Sequence, residues 1–270
     1  MEAATVGGVS VPKLGLGTYR LRGDACRRAV EKALSLGYRH IDTAEYYENQ
    51  AAIGDAIEAS DVSRDELFLT TKVWRTNLSH EEVLRSARES VTKLGVETVD
   101  LLLIHWPSRR VPVGETLSAM NQLQDEGVVR HVGVSNFSVD QLDEARSEST
   151  APILTDQVRY HPYSERQSLL EYCIAKDVVL TAYSPLAKGR VTDDETLQTI
   201  GERYEKTPAQ VALRWLVQQE NVVAIPKASS RSHLEENLDI FDFSLSVPEM
   251  ETVFDLQGGL LQTVRDALGI

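Results

Sequence analysis

Asp42, Tyr47, Lys72 and His105 are side chains of the types that could together deliver a proton to an oxygen atom. A tyrosine hydroxyl has an ordinary pKa of about 10, so near neutrality it carries a proton but gives it up reluctantly. A lysine ammonium beside it would stabilise the phenolate and lower that pKa. A carboxylate on the lysine would keep the ammonium charged and oriented. A histidine could hydrogen-bond the same oxygen and hold it near the phenol. Such a group suits protonation of the oxyanion that develops on a carbonyl when hydride reaches its carbon. Singly, each residue has an ordinary structural role: helix cap for Asp42, rim charge for Lys72, core histidine for His105, and a packed ring with a wet hydroxyl for Tyr47. The chemistry therefore depends on a fold that brings four separate segments together.

The patterning supplies such a fold. Residues 5–12 alternate around Gly7-Gly8 and predict a hairpin. A short strand follows at Leu14–Tyr19, and strand-like and helix-like stretches then alternate. Strands are predicted at Arg39–Ile41, Leu67–Val73, Val99–Ile104, Val129–Val134, Ile153–Val158, Val178–Ala182 and Val222–Ile225. Helices are predicted at Asp24–Leu36 with Asp24 as cap, at Asn49–Glu58, and from Ser79 with a Ser-x-x-Glu capping box to Leu94. Further helices are expected at Gly114–Glu126, Ser138–Arg146, Gln167–Ala175, Asp194–Tyr204, Pro208–Gln218 and Arg231–Leu238. Strand-then-helix units in a chain of this length predict a (β/α)8 TIM barrel, with the N-terminal hairpin as a cap and a short C-terminal tail across one end. A doubly wound sheet would need a glycine-rich phosphate loop, and Gly15-Leu16-Gly17-Thr18-Tyr19-Arg20 lacks the third glycine. Nothing in composition divides the chain, so residues 1–270 read as one domain. Barrel enzymes place their chemistry where strands run out. Those positions are Gly17-Thr18, Asp42, Lys72, His105, Ser135-Asn136, Gln157, Tyr183-Ser184 and Pro226-Lys227.

Longer motifs give these positions a family. Gly37-Tyr38-Arg39-His40-Ile41-Asp42-Thr43-Ala44 with Tyr47 and Asn49, Thr71-Lys72-Val73-Trp74, Leu102-Leu103-Ile104-His105-Trp106-Pro107 and Gly133-Val134-Ser135-Asn136-Phe137 occur in order. They are followed by Gln157 with Tyr160-His161-Pro162, Ala182-Tyr183-Ser184-Pro185-Leu186, and Ile225-Pro226-Lys227 with Glu236-Asn237. Over essentially its whole length the chain resembles the aldo-keto reductases. The resemblance implies NAD(P)H-dependent reduction of small aldehydes and ketones, with the cofactor extended across the barrel mouth. It implies Tyr47 as general acid, Lys72 and Asp42 as its tuning groups, and His105 as the group that orients the carbonyl. It implies Ser135, Asn136 and Gln157 on the nicotinamide carboxamide, Tyr183 on the ring, and Gly17, Thr18 and Asp42 as contacts. Ser184, Leu186 and Lys188 would lie over the pyrophosphate, Lys227, Ser229 and His233 around the 2′-phosphate, and Glu236 and Asn237 at the adenine. Tyr19, Trp74 and Trp106, with His105, match the walls of the substrate pocket. The family usually has serine at Ala228 and arginine at His233; a neutral histidine binds phosphate less well, so NADPH is expected to be preferred and NADH tolerated. Asp156, commonly asparagine in the family, departs with no evident consequence in the sequence. The segment from Ser108 to Gly114 and the tail are short, so an open mouth of broad specificity (aldehydes, α-ketoaldehydes, diketones or sugars) is expected.

The bulk properties narrow the partners. The net charge of −13 argues against nucleic acid and against an anionic membrane surface. No apolar run reaches the roughly 18 to 20 residues that span a bilayer, and the start lacks a signal-peptide pattern. A cytoplasmic monomer acting on a small-molecule carbonyl is expected. The 41 acidic residues against 28 basic ones suit a high-salt cytoplasm as well as they suit an ordinary acidic enzyme. Cys26 and Cys173 lack ligand-spaced partners and read as core residues, and no metal site is expected. The alternative from another class is a nicotinamide-cofactor-sensing regulatory subunit with little turnover. A barrel hydrolase would need a second strand-end carboxylate with a partner, which is missing.

Overall fold

The structure, a computed structural model, describes residues 2–257. The chain begins with a hairpin of β1 (Ala3–Val6) and β2 (Val9–Pro12), paired antiparallel. Its turn needs two consecutive left-handed residues, which Gly7 (φ 54°) and Gly8 (φ 80°) supply without steric cost. The repeating units follow: β3 (Leu16–Gly17), α1 (Gly23–Ser35), β4 (His40–Asp42), α2 (Gln50–Glu58), β5 (Phe68–Val73), α3 (His80–Leu94), β6 (Val99–Ile104), α4 (Val113–Asp125), β7 (Val129–Ser135) and α5 (Val139–Glu148). The second half runs β8 (Ile153–Arg159), α6 (Gln167–Ala175), β9 (Val179–Tyr183), α7 (Glu195–Glu202), α8 (Pro208–Gln218), β10 (Val222–Ile225), α9 (Arg231–Leu238) and α10 (Val247–Asp255).

Strands β3 to β10 pair in parallel in chain order. The two ends of this eight-stranded sheet meet. Gly15 N–H donates to Ala224 O (2.9 Å), Ala224 N–H to Lys13 O (2.8 Å) and Gly17 N–H to Pro226 O (3.0 Å). Gly17 is required at this seam, because a Cβ there would lie 2.6 Å from the Ile225 carbonyl oxygen. The fold is the expected barrel. Strands β5 and β6 are buried at every residue, as apolar runs sandwiched between barrel interior and helices should be. Outward-facing strand residues and the inner faces of the helices form the main core. Inside the barrel, Phe68, Leu101, Leu103, Leu154, Val179 and Val223 pack against Ala4, Val6 and Val11 of the hairpin. Burying a valine side chain contributes about 1.5–3 kcal/mol, so the hairpin is a fitted plug in the N-terminal end of the barrel.

Two expected caps take another form. The N-cap of α1 is Arg22, without a side-chain bond, and Asp24 sits in the first turn, where its charge still suits the helix dipole. Helix α3 starts after Ser79 as expected, but the Ser79–Glu82 capping box does not form. Glu82 is turned to Arg85 instead, and the His80 N–H donates to Glu115 of α4 at 3.1 Å. The tail from Gly258 on, expected to lie across one end of the barrel, falls outside the described residues. Among the described residues no helix is long and apolar enough to cross a membrane.

Candidate active site

Asp42 is the last residue of β4, Lys72 the penultimate residue of β5, and His105 directly follows β6. Parallel pairing in register therefore brings three strand ends to one place. Tyr47 is carried on a 3-10 turn, Glu45–Tyr47, that folds back from β4. Its N–H closes onto Ala44 O at 3.0 Å, and Glu48, left-handed at φ 55°, ends the turn.

Lys72 is about 1% exposed and spends its three donors inside the protein. They reach Asp42 Oδ1 (2.6 Å), Thr43 O (2.8 Å) and, at the long limit, the Tyr47 hydroxyl oxygen (3.5 Å). The other Asp42 oxygen accepts from Gln157 Nε2 at 2.7 Å. An ion pair this buried stabilises the protein only while both partners and their extra hydrogen bonds are present. Burial pulls the Lys72 ammonium below its ordinary pKa, and Asp42 opposes that shift.

The environment of Tyr47 corrects one expectation. Its phenol is pushed above the ordinary value, first by burial and then by the Asp42 carboxylate and the Tyr183 and Tyr19 hydroxyls. The lowering anticipated from Lys72 is not realised in this state, because the ammonium is 3.5 Å away and already neutralised by Asp42 at 2.6 Å. Burial, and then the Lys72 charge, lower His105 to about 3, so its imidazole is neutral at physiological pH. His105 Nδ1 makes no hydrogen bond within the described chain.

The residues expected around the nicotinamide form a second bonded group beside the first. The Ser135 hydroxyl donates to Gln157 O (2.7 Å), Asn136 Nδ2 to His105 O (3.0 Å) and to Ser135 Oγ (3.0 Å), and the Tyr183 hydroxyl to Asn136 Oδ1 (2.8 Å). Thr18 is buried, its hydroxyl donating to Asp42 O at 2.9 Å. Gly17 owes its identity to the barrel seam. Beyond β9, Ser184, Ala187, Lys188 and Gly189 all have positive φ and fold the loop bearing Leu186 tightly over the barrel end. Lys227 and Ser229 follow β10 and are exposed, as is His233 in the first turn of α9. Asn237 is buried on α9, and Glu236 already accepts from Thr207 at 2.7 Å, so these two stand apart from the strand-end cluster.

The expected pocket walls stand at the mouth. The Tyr19 ring lies 5.0 Å from that of Tyr47, Trp74 meets His105 edge-on at 5.0 Å, and Tyr47 meets His105 at 5.6 Å. Tyr19 and Trp106 are 50% and 41% exposed, so among the described residues nothing covers these two walls fully. The Ser108–Val113 segment does not close the mouth. That segment covers a cavity of about 220 Å³ bounded by Leu78, Thr116, Phe137 and Gln141, and none of Asp42, Tyr47, Lys72 and His105 lines it.

Two residues were given no role by the sequence. Asn49 accepts from Thr43 Oγ1 (2.6 Å) and donates to Thr18 O and Leu21 O (3.0 Å each), locking the loop after β3 to the end of β4. Glu45 accepts from the Trp74 N–H, the Ser86 hydroxyl and Asn77 Nδ2. Asn49 was within a matched motif; nothing local could have signalled Glu45, whose partners come from another unit.

A sequence profile of the aldo/keto reductase family matches residues 13–257. The chain belongs to that family. It is 38% identical over 247 residues to the glyoxal reductase of Bacillus subtilis (strain 168), covering 91% of this chain and 89% of that protein. A putative 2,5-diketo-D-gluconic acid reductase B superposes with a TM-score of 0.93 at 44% identity, over 98% of this chain and 96% of the other. A mutant of Gox0644, solved in complex with NADPH, superposes with a TM-score of 0.87 at 33% identity, over 94% and 93%. Membership makes the chain a nicotinamide-dependent reductase of small carbonyl compounds. The relatives reported are named as reductases, and the cofactor-sensing alternative draws no support from them.

Proposed function

We propose that the chain reduces small, unhindered aldehydes and α-dicarbonyls, with NADPH preferred over NADH and Tyr47 as the proton donor. The residues present fit the cofactor. Ser135, Asn136 and Gln157 offer the hydroxyl and amide groups that a carboxamide exchanges hydrogen bonds with, and Tyr183 offers a ring face beside them. Lys188 and Lys227 are exposed cations with no ion pair among the described residues, suited to phosphates in a chain of net charge −13. When bound, the nicotinamide supplies hydride to the carbonyl carbon.

The rest falls to the chain. Neutral His105 holds the carbonyl oxygen in place, and its neutrality lets it donate without competing as an acid. The observation that carries the reading is the donor count at Lys72. With all three of its donors directed at acceptors, the Tyr47 oxygen is one of those acceptors, and the Tyr47 O–H is left to point at the substrate. A phenol held above its ordinary pKa stays protonated across the neutral range. It yields its proton only to a stronger base, which the developing alkoxide is. Lys72 then stabilises the phenolate, and Asp42, braced by Gln157, keeps Lys72 in place. The exposed Tyr19 and Trp106 walls support broad specificity, and the name of the Bacillus relative supports α-dicarbonyls among the substrates.

Tyr47→Phe tests the assignment. Oxidation of NADPH by an α-ketoaldehyde should fall about 10²- to 10⁴-fold, while fluorescence titration gives an unchanged Kd for NADPH. A variant that keeps the wild-type rate removes Tyr47 as donor.

A further inference from the structure

We propose that Glu45 is a positioning residue: it fixes Trp74 relative to Tyr47 and so sets the width of the substrate mouth. The inference rests on the carbonyl-reductase reading above and concerns which substrates that site accepts.

Glu45 lies two residues before Tyr47 on the same 3-10 turn. One carboxylate oxygen accepts from the Trp74 backbone N–H and from Asn77 Nδ2 at 3.1 Å; the other accepts from the Ser86 hydroxyl, on the buried face of α3. Asn77 N–H returns to Trp74 O at 2.9 Å, closing the loop into a compact turn. A single side chain thus ties the turn that bears the proton donor to the loop after β5 and to α3. The Trp74 ring stacks on Tyr46 at 4.0 Å and 15°, and it stands roughly perpendicular to the His105 ring at 5.0 Å. The wall therefore has two attachments to the donor turn, one polar through Glu45 and one aromatic through Tyr46.

Glu45 forms no ion pair among the described residues; its three partners are a backbone amide, a side-chain amide and a hydroxyl. A glutamine can serve the same three, its oxygen accepting twice and its nitrogen donating to the serine oxygen. The tether depends on bonding geometry, so Glu45→Gln should preserve it and Glu45→Ala should cut it. A loosened Trp74 matters most for a substrate large enough to rest on it. A three-carbon α-ketoaldehyde held by Tyr47 and His105 depends on it least.

The test uses wild type, Glu45→Ala and Glu45→Gln, with NADPH and either methylglyoxal or benzaldehyde as substrate, alongside hydrogen exchange of the segment that contains the Trp74 amide. In Glu45→Ala, kcat/KM for benzaldehyde should fall about tenfold or more beyond any fall for methylglyoxal, mainly through KM. The Trp74 amide should also exchange faster. Glu45→Gln should match wild type in both. Equal loss for the two aldehydes, no loss, unchanged exchange, or a glutamine variant that behaves like alanine each overturns the proposal. If Glu45→Ala does not fold, Asn77→Ala and Ser86→Ala each remove one anchor and should show the same selectivity in smaller measure; the absence of selectivity in both also overturns it. A wild-type protein inactive on every carbonyl would sink the proposed function, while amide exchange would still decide the tether.

Discussion

The two halves of the barrel mouth are built on opposite plans. Around the ends of β4 to β8, buried polar groups bond one another: Lys72 to Asp42, Asp42 to Gln157, and Asn136 to the backbone carbonyl of His105. On the side formed by β10 and the start of α9, Lys227, Ser229 and His233 are exposed, and Lys227 pairs with no carboxylate among the described residues. The first half is organised before any ligand arrives, which is what electrostatic stabilisation of a developing charge requires. The second is exposed, and on the proposed reading its cations serve the cofactor rather than one another. Chemistry should therefore tolerate little change in the one, and cofactor choice should be tunable in the other.

The largest expected effect breaks the organised half. Lys72→Met leaves Asp42 buried with Gln157 as its remaining side-chain donor, and an uncompensated buried charge costs about 3–5 kcal/mol. Denaturant unfolding should show that loss together with loss of turnover; the Asp42→Asn, Lys72→Met double variant should recover part of the stability and none of the activity. A smaller effect concerns Asp156, one residue before Gln157, whose carboxyl is held at about 8 by burial and accepts only a 3.5 Å bond from Phe137 N–H. The unfolded value is about 4, so the folded state binds the proton more tightly. Stability from this group is complete below about pH 4 and is lost as pH rises toward about 8. Asp156→Asn should flatten that decline and leave the variant more stable than wild type at pH 8, as read from melting temperature against pH. The smallest effect lies at the open end. Lys227→Ala should raise KM for NADPH about five- to tenfold and leave NADH unchanged. A comparable loss with both cofactors would mean that Lys227 does not read the 2′-phosphate.

Strand order and strand ends were legible because each barrel unit is local: an apolar run, a polar residue at its end, then a helix with its own periodicity. Parallel register does the rest, so Asp42, Lys72 and His105 could be expected to meet. What depends on distant partners was hidden. Ser79 sits where a capping residue belongs, yet its side chain makes no cap bond, and Glu115 from the next helix accepts from the first helical amide, that of His80. Gly17 resembles a cofactor contact, but its lack of a side chain is accounted for by a carbonyl more than 200 residues away. The direction of the Tyr47 shift follows from burial and from how fully Asp42 neutralises Lys72, and neither can be read from spacing. Glu45 bonds a backbone amide and a serine 41 positions on, so its own neighbours in the chain carry no sign of it.

The seam between β3 and β10 also bears on how the chain is made. Leu14 to Gly17 leave the ribosome roughly 200 residues before their partners, Ala224 and Pro226. During most of synthesis the nascent sheet has two free edges, and a free edge can pair with a neighbouring chain. The hairpin plug covers the barrel floor but not that edge. Closure waits for β10, so the segment that carries it acts as a latch, and a chain cut short before it would keep both sheet edges free.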